Sequence, residues 1–167
     1  MVPLDPQLGC LPYRGDGQAS AYSVSVEEMR AQFAVNGLRT RQMDRFEAWL
    51  EDLSHVEIEG RVWVGGSFVT DKEEPSDVDV VLLCDPHESG MLTRAKRNPS
   101  LWTWQDVAVS DPAPMVISRI QPYGGAVDAF FALAMPHHVA TWENRWNTCY
   151  VDEKPTDRRK GFLEVTR

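Results

Sequence analysis

Asp77 and Asp79 stand two residues apart in the run Pro75-Ser76-Asp77-Val78-Asp79-Val80-Val81-Leu82-Leu83, whose β-branched residues suit a strand. Side chains alternate across a strand at about 3.3 Å per residue, so both carboxylates project from one face within roughly 7 Å of each other. Carboxylates that close repel, and a divalent cation keeps both ionised. Magnesium, or Mn2+ in its place, takes oxygen ligands, keeps several waters and commonly binds through one or two carboxylates plus substrate phosphates. The pair therefore suits a metal-bound nucleoside triphosphate. Upstream, Gly65-Gly66-Ser67 follows Arg61-Val62-Trp63-Val64. Glycine there lets phosphate approach the main chain, with backbone N–H groups and the Ser67 hydroxyl as donors. Lys72 can reach phosphate as well, although a lysine in a polar loop is more often just solvated.

Asp128 is the third acid. It lies in Gly124-Gly125-Ala126-Val127-Asp128-Ala129-Phe130-Phe131, where an unpaired charge in an apolar strand is expensive. A carboxylate there fits the metal that activates an attacking hydroxyl between two ions. The bland alternatives are two polar residues opening a strand after Pro75-Ser76, a plain turn at Gly66-Ser67, and a buried Asp128 that caps a loop.

Taken in order, Gly66-Ser67, a spacer, Asp77-Val78-Asp79 and Val127-Asp128-Ala129 resemble the signature of the DNA polymerase β-type nucleotidyltransferase superfamily, over Arg61 to Leu133. A closer similarity is to a group of small, mostly bacterial, nucleotidyltransferase-like proteins. Theirs is an "F..N..R" lead-in (here Phe33, Asn36, Arg39), a "GSFVT.K..P.D.D" core (Gly66 to Thr70, Lys72, Pro75, Asp77, Asp79) and a terminal "KG" (Lys160-Gly161). The Asp-x-Asp of haloacid-dehalogenase-like phosphatases is set aside, because an apolar strand precedes it there and Glu73-Glu74-Pro75-Ser76 precedes it here.

The resemblance implies a polymerase β-like palm: a small mixed sheet with helices on one side. It implies transfer of a nucleoside monophosphate from a triphosphate, ATP among the candidates, to a hydroxyl on RNA, protein or another nucleotide, with Asp77, Asp79 and Asp128 as catalytic metal ligands and Gly65, Gly66, Ser67 and Lys72 at the phosphates. Little chain remains for an appended helical domain, so a helical partner protein or a homodimer is expected to complete the pocket. A different class of function stays open: a non-catalytic nucleotide-binding sensor, or an antitoxin-like partner in a toxin–antitoxin or phage-defence module.

The elements that must position these residues read as one α+β (mixed α/β) domain over 1–167. Residues 1–20, with Pro3, Pro6 and Pro12, form an irregular arm. A helical lead-in spans 25–54: Ser25 and Glu28 make a capping box, and Met43, Phe46, Leu50 and Leu53 mark an apolar face after Asn36-Gly37, read as a helix stop. Arg39 falls with the polar residues. The catalytic core spans 61–133, with strands at 61–64, 77–83, 115–120 and 127–133, a short helix at 91–97 and a loop over 98–114. A C-terminal extension, 134–167, holds a loop with His137-His138, a helix carrying Trp142 and Trp146 as core, and a strand at 162–165.

Composition bounds the reading without deciding it. The chain has 167 residues, 43% of them hydrophobic, enough for one core. A net charge of −8 repels polynucleotides overall, so any contact with RNA must be local. The basic runs Arg94-Lys96-Arg97 and Arg158-Arg159-Lys160 are more often solvated faces than substrate guides. Cys10, Cys84 and Cys149 lack zinc-site spacing and read as free thiols. No apolar run approaches the roughly 20 residues that span a bilayer, and Asp5 and Pro6 replace the basic and apolar segments of a signal peptide; a cytoplasmic protein without membrane contact is expected.

Overall fold

The fold begins with a reciprocal cap. The Ser25 hydroxyl accepts from the Glu28 N–H at 3.2 Å and the Glu28 carboxylate accepts from the Ser25 N–H at 2.8 Å, which starts helix α1 (Val26–Phe33). The computed structural model describes residues 2–15, 21–88, 90–108, 115–151 and 154–166. Helix α2 (Gly37–His55) follows. Asn36 does not stop α1, which ends at Ala34; its side chain caps α2 instead, accepting from the Arg39 N–H at 2.9 Å. Asparagine suits either end of a helix, and here the cap is the role it takes.

Strands β1 (Ala21–Ser25), β2 (Arg61–Val64), β3 (Val78–Cys84), β6 (Val127–Leu133) and β9 (Phe162–Thr166) form one mixed sheet in the order β1-β9-β2-β3-β6. The molecule is α+β. β2 runs antiparallel to β3 and β9, while β1 is parallel to β9 and β3 parallel to β6. β9 thus lies inside the sheet, not in an extension beside it. Between β3 and β6 come α3 (Met91–Arg97), a 3-10 turn at Pro99–Leu101, a ribbon of β4 (Trp104–Ala108) and β5 (Met115–Ile120), and an irregular turn α4 (Pro122–Gly125). The 98–114 segment is therefore not all loop, because β4 pairs with β5 up to residue 108; residues 109–114 lie outside the described residues. After β6 come α5 (Pro136–Asn147) and a second ribbon, β7 (Thr148–Val151) and β8 (Lys154–Arg159). His137 and His138 occupy the first turn of α5, not a loop.

The alternation of side chains divides the core in two. Val78, Val80, Leu82, Val62 and Val127 face Met29, Phe33, Met43, Phe46, Trp49 and Leu53 of α1 and α2. Val81, Leu83, Trp63 and Phe162 face the other way, against Trp142 and Trp146 of α5. The N-terminal helices cover one face as expected, and α5 covers part of the opposite one. The arm contributes Leu11, fully buried. Arg39, assigned to the polar face of α2, is buried as well: its guanidinium donates to the carbonyls of Phe33, Phe68, Thr70 and Lys72 at 2.6–3.2 Å. Asn36 and Gln42 add donors to the Glu73 and Pro75 carbonyls. The start of α2 thereby fixes the connection between the glycine turn and Asp77. Among the described residues no helix is long and apolar enough to cross a membrane.

Candidate active site

Asp79 and Asp128 are register partners on the parallel strands β3 and β6, and register partners share a face. Both sit one residue inside their strands, on the face whose neighbouring members, Val81 and Leu83, pack toward α5. Asp77 immediately precedes β3. The three acids sense one another: Asp79 is raised by Asp77 and Asp128, and Asp77 by Asp128. The sequence-predicted acids thus converge at one edge of the sheet.

Burial and like-charge repulsion act together on Asp77 and Asp79. Burial first, then repulsion from Asp77 and Asp128, pushes Asp79 up to about 7. Burial also raises Asp77, against the opposing hydrogen bond from Gln121, whose Nε2 donates to Asp77 Oδ2 at 2.8 Å. Asp128, 1% exposed, accepts from Arg119 Nη2 through Oδ2, and its Oδ1 has no hydrogen-bond partner. Among the described residues no three His, Cys, Asp or Glu side chains form a ready ligand cluster; Asp77 and Asp128 are engaged by Gln121 and Arg119. Three carboxylates, one with an orphaned buried oxygen, are nonetheless the kind of oxygen donor that a hard divalent ion takes.

The glycine turn is built around Asp79. Gly65 donates its N–H to the Asp79 carbonyl at 3.0 Å, which continues the β2–β3 pairing. Gly66 has φ +65°, and a Cβ there would lie 1.6 Å from Asp79 Oδ2. No other residue leaves space for that carboxylate. Gly65 packs on the Trp146 indole, where a Cβ would meet the ring at 2.5 Å. Its N–H is engaged and so is not a free backbone donor for a phosphate; Gly66 and Ser67 line the neighbouring cavity.

Two cavities meet at Gly66, Tyr150 and Lys160. One, of about 500 Å³, is lined also by Asp79, Arg119, Arg145 and Thr148. The other, of about 540 Å³, extends over Ser67, Thr70 and Lys72. Lys72 is exposed at its rim, within the field of Asp77. Lys160 is 8% exposed and its Nζ donates to the Gly66 carbonyl at 2.6 Å. It is not part of a solvated basic face. The Arg145 guanidinium lies over Phe130, Trp142 and Trp146 at 5.3, 5.3 and 5.7 Å from their ring centres, a stacking that orients it toward the same cavity. Arg94 of α3, by contrast, pairs with Glu88 in the preceding turn.

Arg119, Gln121 and Arg145 carry no assigned role in the sequence. Arg119 and Gln121 lie in strand-like and turn-like text without a motif, and only the spacing of Arg145 three residues after Trp142 and one before Trp146 hints at a ring-stacked cation. A family model described as Family of unknown function (DUF6932) matches residues 3–166. No curated protein and no solved structure matches the chain.

Proposed function

We propose that this chain, which belongs to the family of unknown function DUF6932, is a metal-dependent nucleotidyltransferase with a polymerase β-like palm. The observation that carries the reading is the in-register pairing of Asp79 with Asp128 beside a glycine whose missing side chain makes space for the Asp79 carboxylate. The resemblance of the Gly66-Ser67, Asp77-x-Asp79 and Asp128 elements to that superfamily supports it.

Asp77, Asp79 and Asp128 would hold Mg2+ or Mn2+, which supplies neutralisation of phosphate charge and acidification of the attacking hydroxyl. The protein does the rest. Gly66 and Ser67 border the space for the triphosphate, Lys160 fixes the turn from behind, and Arg145 presents a ring-held cation to the phosphate oxygens. The acceptor oxygen bonds to the α-phosphorus as the bond from that phosphorus to the bridging oxygen breaks, and pyrophosphate leaves. Asp128 would take the hydroxyl proton. The acceptor is an RNA end, a protein or a nucleotide, and a helical partner or a second copy would complete the pocket.

The test is incubation of the purified chain with each α-labelled triphosphate, Mg2+ or Mn2+, and candidate acceptors. Pyrophosphate release with label transfer is expected, and loss of both in Asp77→Asn and Asp79→Asn. Full activity in either variant overturns the assignment. One observation favours the second reading, a non-catalytic nucleotide sensor or antitoxin-like partner: Asp128 already has a cation in Arg119. Triphosphate binding by calorimetry with no pyrophosphate release under any condition supports that reading.

A further inference from the structure

The ion pair between Arg119 and Asp128 joins a half-exposed partner to a buried one. Asp128 is held in β6, hydrogen-bonded to β3, with its side chain 2% exposed. Arg119 comes from β5, which among the described residues pairs with β4 in a ribbon separate from the main sheet, and its side chain is 41% exposed. Two residues on, Gln121 of the same segment engages Asp77. The ribbon thus ends in two side chains, each occupying a different carboxylate of the acidic cluster. Beyond them the chain passes through Tyr123 and Gly124, both at positive φ (53° and 68°), and the Tyr123 hydroxyl donates to Asp52 of α2. A non-glycine residue in that region is held by its surroundings, so the segment is anchored on one side of Gln121 and exposed on the other.

We propose that Arg119 is a resident counter-cation that competes with a divalent metal ion for the Asp128 carboxylate, keeping the acidic cluster closed until the ion displaces it. This rests on the reading above that the three acids bind metal. A guanidinium in contact with a nearly inaccessible carboxylate and a divalent ion on the same oxygen exclude each other by volume and by charge. Asp77 and Asp79 stabilise the same guanidinium, so removing it leaves three acids with a stronger demand for an external cation. The metal-engaged state then places an arginine, freed of its carboxylate, in the wall of the cavity already lined by Arg145 and Lys160.

The experiment is Mn2+ titration of the full chain, followed by the electron paramagnetic resonance signal of free Mn2+ at fixed pH and ionic strength without nucleotide. Arg119→Ala should tighten Mn2+ binding about ten- to one-hundred-fold, the scale of one charge-assisted hydrogen bond no longer competing. The gain should vanish when Asp128→Asn is added. Circular dichroism checks the fold, and Arg119→Gln, which keeps a donor but no charge, is read in the same way if the alanine variant unfolds. Unchanged or weakened Mn2+ binding in the folded variant overturns the proposal. If the wild type binds Mn2+, Asp79→Asn loses it and Arg119→Ala has no effect, metal binding stands and the competition falls. If Arg119→Ala tightens Mn2+ but no triphosphate yields pyrophosphate, the competition stands and the transferase reading falls. If no variant binds Mn2+, both fall.

Discussion

Lys160, in the turn before the last strand, reaches the carbonyl of Gly66, in the turn after the second, at 2.6 Å. Burial lowers the lysine from its ordinary value while Asp79 and the Cys10 and Cys149 thiols oppose the shift. Its ammonium thus serves the turn and the acid together. Lys160→Met leaves a carbonyl without its donor and Asp79 with Arg145 but without the lysine. The expected outcome is a loss of about 1–3 kcal/mol in denaturant unfolding and a KM for triphosphate raised about ten-fold, with kcat less affected. An unchanged KM would detach Lys160 from the site.

Asp79 makes the stability of the protein sensitive to pH. Its folded value of about 7 lies above the ordinary 3.8, so between those values the folded state keeps a proton that the unfolded state has lost. Stability falls as pH rises through this window and is level above it. The effect is on the order of 2–4 kcal/mol, less whatever relaxation and residual solvent recover. In EDTA, the wild type should unfold more easily at pH 8 than at pH 5, and Asp79→Asn should remove most of that difference. Mg2+ at pH 8 should restore the wild type and not the variant. Parallel pH profiles for the two proteins would contradict the assignment.

Gly66→Ala introduces a methyl where Asp79 Oδ2 lies and forces a side chain onto φ +65°. The backbone cost alone is about 1 kcal/mol. Displacing the carboxylate by about an ångström should reduce transfer by roughly a hundred-fold or more. Gly65→Ala should act differently, through packing against the Trp146 ring, and lower the melting temperature more than it changes the acid geometry. Mn2+ affinity separates the two: lost in the first, retained in the folded fraction of the second.

Arg39→Met should be the most damaging of these changes to stability. The guanidinium serves four carbonyls from a buried position, and methionine fills the space without a donor. A loss of about 3–5 kcal/mol is expected, with faster proteolysis in the 70–74 segment that the side chain holds. Equal cleavage rates would show that Asn36 and Gln42 suffice to hold it.

The chemistry that lies in one stretch of chain was legible. Ser25 and Glu28 cap a helix through bonds within one turn, and the side-by-side acids at 77 and 79 need only the pleat of a strand. Asp128 was legible as a charge out of place among apolar neighbours. What depends on sheet order was not. Lys160 reads as the end of a basic run until β9 is seated beside β2, and Arg119 has no partner until a ribbon folds back over Asp128. Arg39 was misread because its charge suggests solvent, whereas the backbone carbonyls it serves arise only in the folded loop. Ala21–Ser25 was missed as a strand since its sheet partner among the described residues, Phe162–Thr166, lies about 140 residues further along.

That last pairing has a consequence for how the protein comes into being. The strand at 162–166 is inserted between the strand at 21–25 and the one at 61–64, so a chain still being translated has a gap through its sheet until those residues clear the ribosome. Contacts spanning nearly the whole length of the chain form late. The lysine that fastens the glycine turn arrives with the same segment. A polypeptide in which that segment is not yet seated therefore lacks both the strand between 21–25 and 61–64 and the lysine that holds the Gly66 carbonyl.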